Sequence, residues 1–565
     1  MAALGGLLSG AAALAVAELV STAVRAGAGP VTAVGGAVID RTPASVKDWA
    51  IRRFGTDDKL VLQLGILAAL ALFALALGLL SLRHRRTASA GVLLVGVVGA
   101  FAATGRPDST GAQDSVPSLC GAVVGAGVLY MLSGRLARQP SPATNDGGPS
   151  GSASDPSDSN LSGFGPSEFD PGDLDPSDFD TGDLDPSSLD TGDLDPSSLG
   201  TGDFDRRGFV LAAAGVAVAS TGAWLLGRRL NASSAADAEA SRASVRLPEP
   251  ASPAPELPRG VDLRVRGVAP FTTPNRDFYR VDTALRVPRL DAADWRMRLH
   301  GKGVGKPLAL DFQGLLRRRL IERDITLTCV SNEVGGPYVS SARWLGVRLD
   351  ELLREAGVAP PSKGGPADQL VARSVDGMTI GTPVETVMDG RDAMLAVAMN
   401  GEPLPFEHGF PVRMVVPGLY GYVSACKWIQ DIELTTFDAY DAYWVKRDWA
   451  REAPIKTQSR IDTPKPFASP KAGKVTVAGV AWAQHRGIAR VEVRVDDGPW
   501  QTARLAPEGP IDTWRQWSWE WSAPPGSHTL QVRATDRTGA TQTAERTRTI
   551  PDGASGRHSV VVRVT

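Results

Sequence analysis

Apolar positions in the first 135 residues follow one another almost without interruption instead of recurring every third or fourth residue. Four apolar stretches, 2–24, 60–82, 87–105 and 115–134, carry no charged residue except Glu18. Each is close to the roughly 20 residues with which a helix spans the hydrocarbon of a bilayer, so four transmembrane helices are expected across 1–135. Core helices of a soluble domain would show an amphipathic stripe, which these lack. A fifth such stretch, 208–227, follows Asp205-Arg206-Arg207-Gly208-Phe209-Val210. Paired arginines before Phe and an apolar run resemble a twin-arginine export signal, and a fifth transmembrane helix is expected at 206–229.

Between these parts Phe164, Phe169, Leu174, Phe179, Leu184, Leu189, Leu194, Leu199 and Phe204 recur every fifth residue, a period that is neither helical nor strand-like. Low-complexity segment 136–205 is expected to be a self-repelling spacer, with a two-coil solenoid as the alternative. A second linker, rich in Ala, Ser and Pro, is expected at 230–262. From 263 the pattern changes to short alternations broken by Gly and Pro. Ile325, Leu327 and Cys329 alternate with Asp and Thr, predicting a strand that delivers the thiol to a Ser331-Asn332-Glu333 loop. Past 462, period-two runs at Val475/Val477, Val491/Val493/Val495, Trp517/Trp519/Trp521 and Leu530/Val532/Ala534 predict an immunoglobulin-like β-sandwich over 463–565, with the Trp series in its core.

Charge sharpens this division. The formal net charge of −2 conceals a segment, 139–205, with 16 Asp and Glu and no Lys or Arg, which leaves 60 basic against 46 acidic residues elsewhere. A mean hydropathy of −0.08 excludes both wholesale disorder and a purely polytopic membrane protein. The three cysteines, Cys120, Cys329 and Cys426, are too few for a disulfide framework. With four helices before it, the acidic spacer shares a side with the amino terminus. If that side is cytoplasmic, the fifth helix places the carboxy-terminal half on the extracytoplasmic face of the cell membrane. Arg83, Arg85, Arg86, Arg135 and Arg138 favour this orientation, whereas Arg41, Lys47, Arg52, Arg53 and Lys59 oppose it.

By residue type alone, Cys329 suits a buried hydrophobe, a nucleophile or a metal ligand. The longer context resembles a known family. TPNRDFYR at 273–280, CVSNEVGG at 329–336, ARWLGV at 342–347 and MNGEPLPFEHGFPVRMVVPGLYGYVSACKW at 399–428 resemble the sulfite oxidase family of molybdenum enzymes, from about 266 to the carboxy terminus. The resemblance implies an α+β molybdopterin-binding oxidoreductase domain at 263–462 and a carboxy-terminal dimerisation domain at 463–565, hence a homodimer. It implies that the Cys329 thiolate binds molybdenum beside the dithiolene of molybdopterin, with Arg280 near the metal. Asn275, Arg280, His408, Arg413, Ser424 and Lys427 fall at or beside positions that hold the cofactor, and Asp376 resembles the acidic group that pairs with the pterin.

Two departures bear on the substrate. Glu333 and Val334 stand where plant and animal sulfite oxidases carry two arginines, and Trp449 in Arg447-Asp448-Trp449 stands where a tyrosine is expected. A Glu333 carboxylate pointing inward would repel a sulfite dianion by about 1 to 4 kcal/mol at 4 Å for effective dielectric constants of 80 to 20. The expected function is therefore oxygen-atom transfer on a small molecule at a Cys-ligated mononuclear molybdenum, in a membrane-anchored enzyme. Sulfite is the family default, and a neutral S-oxide to be reduced is the alternative. A non-catalytic tethered binding or sensing module is the reading from another class. His84 is the only histidine before His300, so no haem is expected in this chain and electrons pass to a separate cytochrome or to a quinone. No nucleic-acid partner is expected.

Overall fold

The computed structural model describes residues 1–42, 46, 53–54, 58–106, 109, 111–136 and 206–565. The period-five acidic segment lies outside the described residues. Among the described residues the amino-terminal part contains α1 (Ala2–Val24), α2 (Pro30–Arg41), α3 (Asp58–Leu80), α4 (Arg85–Thr104), α5 (Val116–Leu136) and α6 (Arg206–Ser244). All but α2 are long and apolar enough to cross a membrane. Small residues let them approach closely: a Cβ on Gly6 of α1 would fall 2.1 Å from the Ala74 carbonyl oxygen of α3.

Two elements differ from the expectation. The short α2, which starts on a proline at its first turn, lies between the first two spans; its 12 residues are too few to cross a bilayer, so length alone does not reveal it. The fifth helix, expected at 206–229, does not stop there. It runs on as α6 for 39 residues, about 58 Å at 1.5 Å per residue, roughly twice the 30 Å hydrocarbon core. The Ala-rich stretch 231–244 has the composition of a linker, but Ala, Glu and Arg are good helix formers and proline first appears at 248. The result is one continuous helix from the apolar span to the catalytic half. Near its end Arg242 donates to the carbonyls of Leu404 at 2.8 Å and Pro403 at 2.7 Å, and Ser241 donates to Asp291 at 2.7 Å.

Ten strands follow: β1 (Arg296–Gly301), β2 (Leu308–Asp311), β3 (Leu320–Thr328), β4 (Val339–Arg348), β5 (Gln369–Ser374), β6 (Thr379–Pro383), β7 (Met394–Met399), β8 (Glu402–Pro403), β9 (Arg413–Val415) and β10 (Ile429–Thr435). One sheet has the order β2-β1-β10-β5-β6, with β1 and β10 parallel; the other has the order β3-β4-β7-β8, with β9 also paired to β7. Strand β7 is buried at all six positions, so its apolar run is continuous rather than alternating.

The carboxy-terminal part contains β11 (Gln458–Thr463), β12 (Gly473–Trp482), β13 (Ile488–Val495), β14 (Gln501–Thr502), β15 (Arg504–Leu505), β16 (Arg515–Ala523), β17 (Gly526–Asp536) and β18 (His558–Val564). They form two four-stranded antiparallel sheets, β11-β12-β16-β15 and β14-β13-β17-β18. Trp517 and Trp521 lie in the core that these sheets share. This part braces β3 from outside: the fully buried Gln484 donates to the Thr326 carbonyl at 3.0 Å and to Thr328 Oγ1 at 3.1 Å, and the Trp514 N–H donates to Thr326 Oγ1 at 2.8 Å.

Candidate active site

Strand β3 ends at Thr328, and the next residue, Cys329, opens into a cavity of about 180 Å³. The Cys329 N–H donates to the Tyr338 carbonyl at 3.0 Å, which closes the loop behind the thiol. Sγ lies 2.9 Å from Ser331 Oγ. Burial pushes the thiol above its ordinary range, while Ser331 and, more distantly, Lys427 pull it down. A cation beside the sulfur is what would hold it as a thiolate.

The opposite wall comes from the segment around β9. Arg413 is buried, donates to the His408 carbonyl at 3.2 Å and stacks 5.0 Å from the Trp344 ring centre, yet its Nε has no hydrogen-bond partner among the described residues. Burial pulls its guanidinium down to about 10, still charged at neutral pH. Lys427 donates to Asp282 Oδ2 at 2.9 Å and to the Glu407 carbonyl at 3.1 Å, and burial pulls it down to about 8. His408 Nε2 lies 3.0 Å from the Asn275 carbonyl. Burial and the nearby Arg413 lower it to about 4, so the ring is neutral at pH 7. Gly409 separates these groups at a φ of +109°, and a Cβ there would lie 3.1 Å from the Cβ atoms of both Arg413 and Lys427. Only glycine accepts both the conformation and the space.

Two carboxylates complete the polar part. Burial opposes ionisation of Asp282, but Lys427, Lys59 and Arg280 together hold it well below the usual carboxylate range. Asp376 accepts from Thr283 Oγ1 at 3.2 Å and from the Met378 N–H at 3.3 Å, and burial pushes it upward. The rest of the wall is largely apolar and aromatic, and includes Tyr422, Trp444, Trp449 and Ile550.

Five of the sequence-predicted residues, Cys329, Asp376, His408, Arg413 and Lys427, line this one cavity. Three are not among the residues that line it. Arg280 donates to Asp282 at 2.9 Å; Asn275 donates to Glu402 at 2.6 Å and accepts from Asn400 at 2.8 Å; Ser424 spends its hydroxyl on the Leu419 and Tyr420 carbonyls, each at 3.0 Å. Glu333 is exposed and off the cavity wall, so the repulsion calculated for an inward carboxylate does not arise from it. Trp449 does line the cavity, while Arg447 turns away to Asp40 at 3.4 Å. Sequence reasoning missed Asp282, Thr283, Ser331 and Lys59. Asp282 had a local signal, its place two residues from Arg280 in an extended segment; Lys59, 223 residues from its partner, had none.

The residues fit an anionic, sulfur-bearing cofactor. Arg413 and Lys427 reach a cavity in which His408 is neutral, and a buried guanidinium nitrogen is left without an acceptor. Among the described residues no three His, Cys, Asp or Glu converge as a metal cage, so a metal at Cys329 needs donors that a cofactor brings.

A family model described as the oxidoreductase molybdopterin binding domain matches residues 284–444. The mitochondrial sulfite oxidase of Homo sapiens is 30% identical over 306 residues, covering 46% of this chain and 55% of that protein. The sulfite oxidase of Gallus gallus is 31% identical over 319 residues, covering 46% of this chain and 68% of that protein. Nitrate reductase [NADH] 1 of Oryza sativa is 30% identical over 317 residues, covering 45% of this chain and 34% of that protein. The chain thus spans about half the length of the mammalian relatives it matches.

Proposed function

Because the chain belongs to the sulfite oxidase family of molybdopterin oxidoreductases, we propose that it is a membrane-anchored enzyme that moves an oxygen atom to or from a small molecule at a mononuclear molybdenum ligated by Cys329. One observation carries this reading: the Cys329 thiol, at the end of β3, opens into the same cavity as Arg413 and Lys427, with Cys426 also in its wall. When bound, the molybdopterin supplies a two-electron redox centre that exchanges an oxygen atom. Cys329 lends the sulfur ligand, and Ser331 Oγ at 2.9 Å fixes its direction. Arg413, through its unpartnered Nε, and Lys427 hold the anionic end. Asp376, raised by burial, suits a polar ring edge where a proton is shared. Arg280, Asn275 and Ser424 support these groups without lining the cavity.

Sulfite is the default substrate of this reading. A second, reduction of a neutral S-oxide, is favoured by the wall that Tyr422, Trp444, Trp449 and Ile550 form, and by Arg447 being drawn away to Asp40. The five long helices support a multi-pass anchor. Contacts near the ends of α1, α2, α3 and α6 hold the catalytic half, and in this reading an export-signal-like α6 delivers that half to the extracytoplasmic face. Electrons then pass to a separate cytochrome or a quinone, and the carboxy-terminal sheets are assigned as an immunoglobulin-like dimerisation domain. The test is a comparison on one molybdenum-loaded preparation: sulfite oxidation with an artificial acceptor against sulfoxide reduction with a reduced viologen. Sulfoxide turnover exceeding sulfite turnover selects the second reading, and absence of both from loaded protein refutes oxygen-atom transfer.

A further inference from the structure

The helical part touches the catalytic half at the rim of the cavity. Glu18 near the end of α1 accepts from Arg286 at 3.1 Å, and Asp40 near the end of α2 accepts from the Tyr443 hydroxyl and from Arg447. Lys59, in the first turn of α3, donates to Asp282 Oδ1 at 2.6 Å, to the Asp282 carbonyl at 3.2 Å and to the Ala284 carbonyl at 2.6 Å. These contacts of α1, α2 and α3 fall on the segments 282–286 and 443–447, whereas α6 meets the catalytic half elsewhere, at Asp291, Pro403 and Leu404. The same segments supply Asp282, Thr283 and Trp444 to the cavity wall.

The contacts are not equivalent. Arg286 is 52% exposed in its ion pair with Glu18, which makes that pair the kind of surface bridge that contributes little. Asp282 is 2% exposed, and three cations share its carboxylate: Lys59 on Oδ1, and Lys427 and Arg280 on Oδ2, each of these two at 2.9 Å. Remove Lys59 and Oδ1 loses its partner in a buried setting. The carboxylate is then free to rotate toward its remaining cations, and Lys427 and Arg280 move with it. Thr283, the next residue, carries the same segment on to Asp376.

We propose that Lys59 is a positioning residue of the cofactor pocket. By pinning Asp282, the first turn of a membrane-spanning helix sets Lys427 and Arg280 in the arrangement that holds the cofactor, so the pocket is complete only when the catalytic half is docked on the helical bundle. This rests on the reading of the cavity as the molybdopterin site. The helices are then more than a tether, because the anchor supplies part of the site it carries.

The test uses the full chain in detergent or nanodiscs, from a host that makes molybdopterin. Molybdenum and pterin per chain are followed over hours of dilution, together with the Mo(V) EPR spectrum after partial reduction. Lys59→Met is expected to lose cofactor ~10-fold faster or more, the effect of one charge-assisted hydrogen bond to a buried carboxylate, and to shift the EPR signal. Lys59→Arg is expected to restore retention to within about threefold, and Glu18→Gln to match wild type. Lys59→Met in an Asp282→Asn background is expected to add nothing, because Lys59 acts through Asp282. Should Lys59→Met fail to fold, Lys59→Gln, which keeps a donor but not the charge, carries the same expectation. Wild-type retention and an unchanged EPR spectrum in either variant, or additive effects of Lys59 and Asp282 changes, overturn the proposal and leave the family reading intact. Wild-type chain devoid of molybdopterin overturns both.

Discussion

Replacing Arg413 by Met separates a binding role from a structural one, because the two predict opposite signs. Burial lowers the guanidinium from 12.5 to about 10, and at 1.36 kcal/mol per unit this is a cost of about 3 kcal/mol for keeping the charge in place. Deleting the charge relieves that cost. Against it stand the stacking on Trp344 and the bonds to the His408 and Ala425 carbonyls, the first worth about 1 kcal/mol and the loss of buried acceptors about 1 to 3 kcal/mol. The terms nearly cancel, so the cofactor-free chain is expected to stay within about 1 kcal/mol of wild type. Cofactor retention behaves differently. Loss of the charge-assisted hydrogen bond that Nε offers an anion, at about 1.5 to 3 kcal/mol, implies retention weakened roughly 10- to 100-fold. The assay is denaturant unfolding followed by tryptophan fluorescence on protein from a host unable to make molybdopterin, paired with pterin content from a host that can. Apoprotein destabilised by 4 kcal/mol or more would show Arg413 to be part of a structural network whose breakage leaves a partner stranded, and would refute the argument.

Two further outcomes follow from the same geometry. Gly409→Ala places a Cβ 3.1 Å from the Cβ atoms of Arg413 and Lys427 at a φ of +109°; it is expected to cost about 1 to 3 kcal/mol in unfolding free energy and to reduce pterin content, and a variant unchanged in both would contradict the packing described. His408 is held at about 4 against an ordinary 6.5, so the unfolded chain binds the extra proton between those values. Its contribution is fully present above pH 6.5 and is lost as pH falls through 4, by up to about 3 kcal/mol. His558 is lowered to about 4 as well, so His408→Gln is expected to remove about half of the combined slope of these two histidines between pH 4 and 6.5, measured by denaturant unfolding of the apoprotein at four pH values; an unchanged slope contradicts the assignment.

How much of this was legible in the sequence depends on distance along the chain. The spanning helices are legible because an uninterrupted apolar run is a one-dimensional signal; α2 is not, being short and carrying Gly35 and Gly36. The end of α6 is hidden by composition, since Ala and Ser serve linkers and helices alike. Cys329, His408, Arg413 and Lys427 are legible because they sit in compact segments with recognisable neighbours, and the fold brings them to one cavity. Glu333 shows the limit of such reasoning: its position two residues past Ser331 says nothing of its direction, and it points to solvent. The link from Lys59 to Asp282 has no sequence signal, because an ion pair across 223 residues leaves no local pattern.

The central claim, that Cys329 holds a molybdenum cofactor in this cavity, is tested most directly by metal and pterin analysis of the full chain and its Cys329→Ser variant, purified side by side from a molybdopterin-producing host. The account predicts about one molybdenum per wild-type chain with its thiolate ligand, and loss of both the metal's wild-type EPR signature and turnover in the serine variant. A variant that keeps metal, signature and turnover would contradict it.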